Sequence, residues 1–135
     1  MPFDYGRTVH FADTDAAGVV FFANYLAICH EAYEESLAAS GIALNSFFAD
    51  NAIVIPVTKS EAEYRRPLSC GDKLSVSVHP APLSEDSYEI RYEVTRLGTP
   101  AKGAARVRTE HVCIDSVTHA RRSLPSALSA WVRAG

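Results

Sequence analysis

His10-Phe11-Ala12-Asp13-Thr14-Asp15-Ala16-Ala17-Gly18-Val19-Val20-Phe21-Phe22-Ala23-Asn24-Tyr25 is the stretch that decides how the rest of the chain is read. It sets two carboxylates, two small residues and a glycine ahead of a hydrophobic run that leads into a helix. The first N–H groups of a helix have no partner inside it, and together with the helix dipole they can hold a developing negative charge. Asp15, just upstream, is then placed to attack a carbonyl or to activate water beside such an oxyanion site. An Asp-x-Asp followed by glycine also reads as a solvated turn, because Asp side chains bond their own backbone and glycine supplies positive φ. The local pattern leaves both readings open.

Working outward, Tyr5, Arg7, Val9 and Phe11 alternate with Gly6, Thr8 and His10, the period of two expected of a first strand that ends at Asp13-Thr14-Asp15. From about residue 23 to residue 40, Leu26, Cys29, Tyr33 and Leu37 recur at steps of three and four. Ile28 and Ala32 widen the stripe, and Gly41 follows as a stop. This predicts one helix of about five turns. Its alanines, Ala27, Ala32, Ala38 and Ala39, suit close wrapping by a sheet.

The remainder reads as strands over 53–64, 73–79, 87–97 and 101–115, with Leu74, Val76 and Val78, then Tyr88, Ile90, Tyr92 and Val94, alternating. Cys70-Gly71-Asp72, the segment from Pro80 to Asp86, and Gly98-Thr99-Pro100 are the expected turns, short enough for antiparallel hairpins. A terminal helix from Pro125 to Val132 is expected, with Pro125 at its first position. The expected architecture is α+β, one domain over residues 1–135. In it, an antiparallel sheet of about five strands wraps around one long central helix. Such a sheet leaves an exposed edge, and pairing of that edge with a second copy predicts a homodimer or homotetramer.

Composition sets the frame. The 135 residues are 47% hydrophobic and 21% charged, as in soluble globular proteins, and suffice for a single core. No apolar run approaches the ~20 residues that span a bilayer, so no membrane insertion is expected. Met1-Pro2-Phe3-Asp4 lacks the features of a signal peptide, and the expected location is cytoplasmic. Cys29, Cys70 and Cys113, like His10, His30, His79, His111 and His119, are scattered without zinc-ligand spacing, so neither metal nor cofactor is expected. The first 64 residues carry two basic and nine acidic side chains, and the rest eleven basic and seven acidic. That balance excludes a strongly basic nucleic-acid face, while its basic part can meet a phosphorylated small molecule or simply solvate strand faces. No Gly-x-Ser-x-Gly nucleophile elbow is present.

The run from Phe11 to Tyr25, the helix behind it, and Tyr64-Arg65-Arg66-Pro67-Leu68 followed by Gly71-Asp72 together resemble the 4-hydroxybenzoyl-CoA thioesterase family of hotdog-fold proteins. The resemblance extends along nearly the whole chain. It implies that Asp15 is the catalytic carboxylate, with Asp13 in support, and that the backbone N–H of Phe22 is the oxyanion donor. Gly18 would give the thioester room, and Tyr25 and His30 would belong to the substrate site. Many relatives carry His or Tyr where this chain has Phe22, so here the role falls to the main chain alone. His30 stands where the family enzyme presents a carboxylate to a substrate phenol. An imidazole can also hydrogen-bond a ring hydroxyl or simply pack on the helix.

With Phe21, Phe22, Phe47 and Phe48, the expected acyl group is aromatic. Motif and length resemble those family members that hydrolyse dihydroxynaphthoyl-CoA in phylloquinone and menaquinone synthesis. Coenzyme A would be part of the substrate. With no Gly-rich phosphate loop present, its phosphates would fall to Lys59, Arg65, Arg66 and Arg91. Fatty or small acyl-CoA esters and acyl carrier protein thioesters are the alternative substrates. A non-catalytic acyl-CoA-binding domain, or a dehydratase using His30-Glu31, are the alternative classes.

Overall fold

A computed structural model describes residues 2–45 and 52–135. In chain order the elements are β1 (Phe3–Thr8), a single 3-10 turn (Phe11–Asp13), α1 (Asn24–Ala39), β2 (Ile53–Val54) and β3 (Val57–Tyr64). There follow β4 (Lys73–Ser84), β5 (Ser87–Arg96), β6 (Lys102–Val112), β7 (Ile114–Asp115) and a C-terminal helix α2 (Ser126–Ala134). Five strands form one antiparallel sheet in the order β1-β4-β5-β6-β3, and β2 pairs with β7 separately. Among the described residues the architecture is α+β, with a five-stranded antiparallel sheet and the helices α1 and α2.

The apolar alternation does the expected work. Leu74, Val76 and Val78 of β4, Tyr88, Ile90, Tyr92 and Val94 of β5, and Ala105 and Val107 of β6 are buried. They share one core with Tyr25, Ile28, Cys29, Ala32, Tyr33 and Leu37 of α1. α1 packs on β1, β4 and β6, and α2 on β4, where Trp131 donates its indole N–H to Ser36 of α1 at 3.0 Å. Gly41 has φ +90°, the left-handed value that ends a helix and that glycine adopts at no steric cost.

Several boundaries differ from expectation. The first strand stops at Thr8, and Phe11 lies in the 3-10 turn, 87% exposed, because the chain bends at His10 to bring Asp13 back to Arg7. Residues 53–64 form two strands, interrupted at Ile55-Pro56. β4 continues through Pro80 and Pro82 to Ser84, leaving only Glu85-Asp86 as the turn. β1 begins at Phe3 opposite Val78, so beyond Val78 β4 has no β1 partner and a missing N–H on that side breaks no ladder. Residues 101–115 divide into β6 and β7, and Pro125 caps α2 rather than occupying its first turn. The simple meander holds for β4, β5 and β6 only. β3 crosses to the far side of the sheet and pairs with β6 as an edge strand, opposite the β1 edge.

Candidate active site

The acidic motif forms a small hairpin at the entry to α1. Thr14 bridges Val20, the Asp15 N–H donates to the Val19 carbonyl at 2.9 Å, and the Gly18 N–H donates to the Asp15 carbonyl at 3.0 Å. Gly18 has φ +80°, and a Cβ there would meet nothing within 4 Å, so its role is the left-handed turn and an open approach to the backbone. The Val20 N–H donates to the Leu68 carbonyl at 2.8 Å, and Val19 bridges Ser69. These bonds tie the first motif to the end of the second.

The two carboxylates have opposite surroundings. Asp13 accepts from both terminal nitrogens of Arg7, at 2.7 and 3.3 Å, and from the His10 N–H at 2.8 Å. Burial pushes its pKa up, but the Arg7 and His10 hydrogen bonds outweigh this and hold it below the usual carboxylate range. The Asp13 carbonyl accepts from the Phe21 N–H and the Asn24 side-chain amide, both at 2.9 Å. Arg7 also reaches Glu31 of α1 at 2.9 Å. Asp13 is therefore a latch between β1, the hairpin and α1. Asp15 is exposed, and among the described residues its carboxylate accepts only from the Ala17 N–H at 2.8 Å. One acid is saturated and the other is available.

At the helix entry, the N–H of Phe22 has no hydrogen-bond partner among the described residues, whereas its carbonyl is held twice. It accepts from the Tyr25 N–H at 3.3 Å and from the Tyr64 hydroxyl at 3.1 Å. The Phe22 side chain is 61% exposed and meets Tyr64 edge-on at 6.4 Å between ring centroids. Phe21 is also exposed, and Phe47 and Phe48 lie outside the described residues. Tyr25 is buried, with its ring 5.1 Å from Tyr64, and with Tyr64, Arg65 and Arg66 it borders a groove of about 300 Å³.

The remaining expected residues are less tightly grouped. His30, on the second turn of α1, is half exposed, bonds Glu34 through Nδ1 at 3.1 Å, and borders a separate opening under the helix. Arg65 pairs with Glu63 at 3.0 Å, and Arg66 donates to the Gly103 carbonyl at 2.7 Å. Lys59 and Arg91 stand away from the groove, among glutamates of β3, β5 and β6. Lys59 lies 3.5 Å from Glu61, and Arg91 2.7 Å from Glu89. Arg108 shares this charged face, reaching Glu61, Glu89 and Glu110 within 3.0 Å. The residues that sequence reasoning left without a role are Arg7, Asn24 and Tyr64, which hold the loop. Asn24 and Tyr64 carried a signal, as members of the first and second motifs, and Arg7 carried none.

The geometry has counterparts in known proteins. A family model described as the thioesterase-like superfamily matches residues 9–132. A 1,4-dihydroxy-2-naphthoyl-CoA hydrolase of Trichodesmium erythraeum is 47% identical over 132 residues, 98% of this chain and 96% of that protein. A protein of the same name from Nostoc punctiforme is 46% identical over 132 residues, 98% of this chain and 87% of that protein. The crystal structure of a 1,4-dihydroxy-2-naphthoyl-CoA thioesterase from Synechocystis superposes with a TM-score of 0.93 at 32% identity, covering 98% of this chain and 96% of that one. The chain belongs to the thioesterase-like superfamily of hotdog-fold proteins.

Proposed function

We propose that this protein is an acyl-CoA thioesterase whose substrate is an aromatic thioester, 1,4-dihydroxy-2-naphthoyl-CoA, in phylloquinone or menaquinone synthesis. The observation that carries the chemistry is the contrast between the two acids of the motif: Asp13 is saturated by Arg7 and His10, while Asp15 is exposed, accepts only from the Ala17 N–H among the described residues, and lies ahead of a helix-entry N–H with no partner among them. The relatives of 47% and 46% identity named for that hydrolase support the choice of acyl group.

Water is the second substrate, and the carboxylic acid and coenzyme A thiol are the products. Asp15 either attacks the thioester carbonyl, giving a mixed anhydride that water then opens, or removes a proton from the attacking water. Both routes place negative charge on the former carbonyl oxygen, and the Phe22 N–H meets it there at the positive end of the α1 dipole. Gly18 leaves the approach open, and Tyr25 and His30 contact the acyl part. Arg65 and Arg66 on the groove meet the coenzyme A phosphates, with Lys59 and Arg91 as the more distant cations.

The assembly is a homodimer or homotetramer in which the sheet of each chain wraps its long helix and the exposed edge of β3 meets a second copy. Val57 and Tyr64, both about half exposed on that edge, support this arrangement. His30 of one chain then faces Asp15 of another. The deciding assay is release of free coenzyme A thiol from aryl-CoA, fatty acyl-CoA and acyl carrier protein thioesters. A dominant kcat/KM on the dihydroxynaphthoyl ester is expected. Equal rates on palmitoyl-CoA would contradict the acyl assignment, and no hydrolysis of any ester would contradict the reaction.

A further inference from the structure

Under α1, between the edge strand β3 and the inner face of β5 and β6, lies an opening of about 170 Å³ with a mostly apolar wall. Apolar cavities of about 150 Å³ take up a benzene-sized ring. The pairing of β3 with β6 slips between Val57 and Lys59. Strict alternation would send Val57 and Ser60 to opposite faces of the sheet, and the extra residue lets both line the opening. Bulges that re-aim side chains in this way recur beside functional sites.

His30 stands at the exposed side of this opening and His111 at the buried side, 2% exposed. The His111 ring stacks on Tyr88 with centroids 4.8 Å apart and lies tilted against Tyr33 at 5.2 Å. Its Nε2 is 2.7 Å from the Thr109 hydroxyl. Burial, with His30 nearby, pushes its pKa down to about 4, so the ring is neutral near pH 7. The other nitrogen, Nδ1, has no hydrogen-bond partner among the described residues. Yet no side-chain nitrogen or oxygen there is both sealed from solvent and unpaired. His111 lines the opening, so a group seated there comes within reach of the ring edge. A phenylalanine would fill the stack without an unpaired nitrogen, so the imidazole has a use that packing alone does not explain.

We infer that this opening seats the aryl part of the acyl group and that His111, locked by Thr109, hydrogen-bonds a second ring hydroxyl deep within it, while His30 takes the first. A hydroxyl both donates and accepts, so it matches Nδ1 in either neutral tautomer. The inference rests on the aryl-CoA reading above and extends it from an aromatic thioester to one recognised through two hydroxyls. His111 is a specificity-determining residue here, and the bond-breaking steps remain with Asp15.

The test compares kcat/KM for four esters: 1,4-dihydroxy-2-naphthoyl-CoA, its 1-hydroxy and 4-hydroxy analogues, and 2-naphthoyl-CoA. In the wild-type protein each missing hydroxyl should lower kcat/KM by about 5- to 150-fold, the range for one unpaired buried group. His111→Leu should shrink one hydroxyl's penalty to within about twofold and keep the other, which His30→Ala should erase instead. An equal loss on all four esters, or both penalties intact in folded His111→Leu, overturns the inference. Wild-type protein labelled with 15N-histidine gives a readout that needs no variant. Free 1,4-dihydroxy-2-naphthoic acid should shift the His111 ring nitrogens and 2-naphthoic acid should not, and equal shifts overturn the assignment. A wild-type protein that hydrolyses fatty but no aryl esters overturns the functional reading as well, whereas hydrolysis of all four esters at one rate overturns this inference alone.

Discussion

The hydroxyl of Tyr64 donates to the carbonyl of Phe22 at 3.1 Å, fastening the edge strand β3 to the entry of α1 across 42 residues of sequence. The same residue, Phe22, offers an N–H with no partner among the described residues, so the bond from Tyr64 anchors the peptide unit next to the proposed oxyanion donor. Tyr64→Phe keeps the ring against Phe22 and Tyr25 and removes only that bond. The expected result is a drop in kcat of about 3- to 10-fold with KM little changed, the pattern of an interaction that matters in the transition state. An unchanged kcat would mean that the helix entry is held well enough without Tyr64.

Asp13 should matter for the fold more than for the chemistry. Its carboxylate receives a forked hydrogen bond from Arg7 and one from the His10 backbone, all in the part-buried latch between β1 and the hairpin. Asp13→Asn removes the charge and should lower stability by about 1.5–3 kcal/mol, the range for hydrogen bonds to charged groups. Denaturant titration of wild-type and Asp13→Asn protein checks this, and coincident midpoints would contradict the latch.

Acid should destabilise the protein in a defined window. His111 has its pKa pushed down to about 4, against 6.5 in the unfolded chain, so between these values the unfolded state binds the extra proton and stability falls as pH falls. The full effect is of order 3 kcal/mol, present near neutrality and lost by about pH 4. Asp13, held below the usual range, adds to the loss at lower pH still. Stability measured from pH 7 to pH 4 should slope downward in the wild type and less steeply in His111→Phe, which keeps a ring in the stack. Equal slopes would contradict a buried neutral His111.

What could be read in advance followed from local rules, and what could not depended on partners distant in sequence. The helix from Asn24 to Ala39 was visible because its stripe and its glycine stop are properties of neighbours. The strands of the β4–β5–β6 meander were visible because one face is buried. The position of β3 was hidden, since nothing in its own residues distinguishes pairing with β4 from pairing with β6. The extension of β4 through Pro80 and Pro82 was hidden too, because proline is tolerated there by the reach of β1, which begins opposite Val78 and leaves that stretch unpaired on one side. At the site, the motif named Asp13 and Asp15 but could not say which was free. That depended on Arg7, a strand residue whose guanidinium meets Asp13 only after the chain folds back.

The exposed side of β3 gives a further prediction. With Val57 and Tyr64 about half exposed on an unpaired edge, sedimentation at micromolar concentration should show a dimer or tetramer and no major monomer. A fully active monomer would contradict the shared site, in which His30 of one chain faces Asp15 of another.

The central claim is that Asp15, the acid left free when Arg7 takes Asp13, performs the hydrolysis. The direct measurement is kcat of Asp15→Asn on 1,4-dihydroxy-2-naphthoyl-CoA, alongside thermal unfolding of the same protein. Asp15 is exposed and has no tertiary partner among the described residues, so unfolding should match the wild type. Turnover should fall by at least about 100-fold while substrate binding persists. A folded Asp15→Asn protein with near-native kcat would contradict the account.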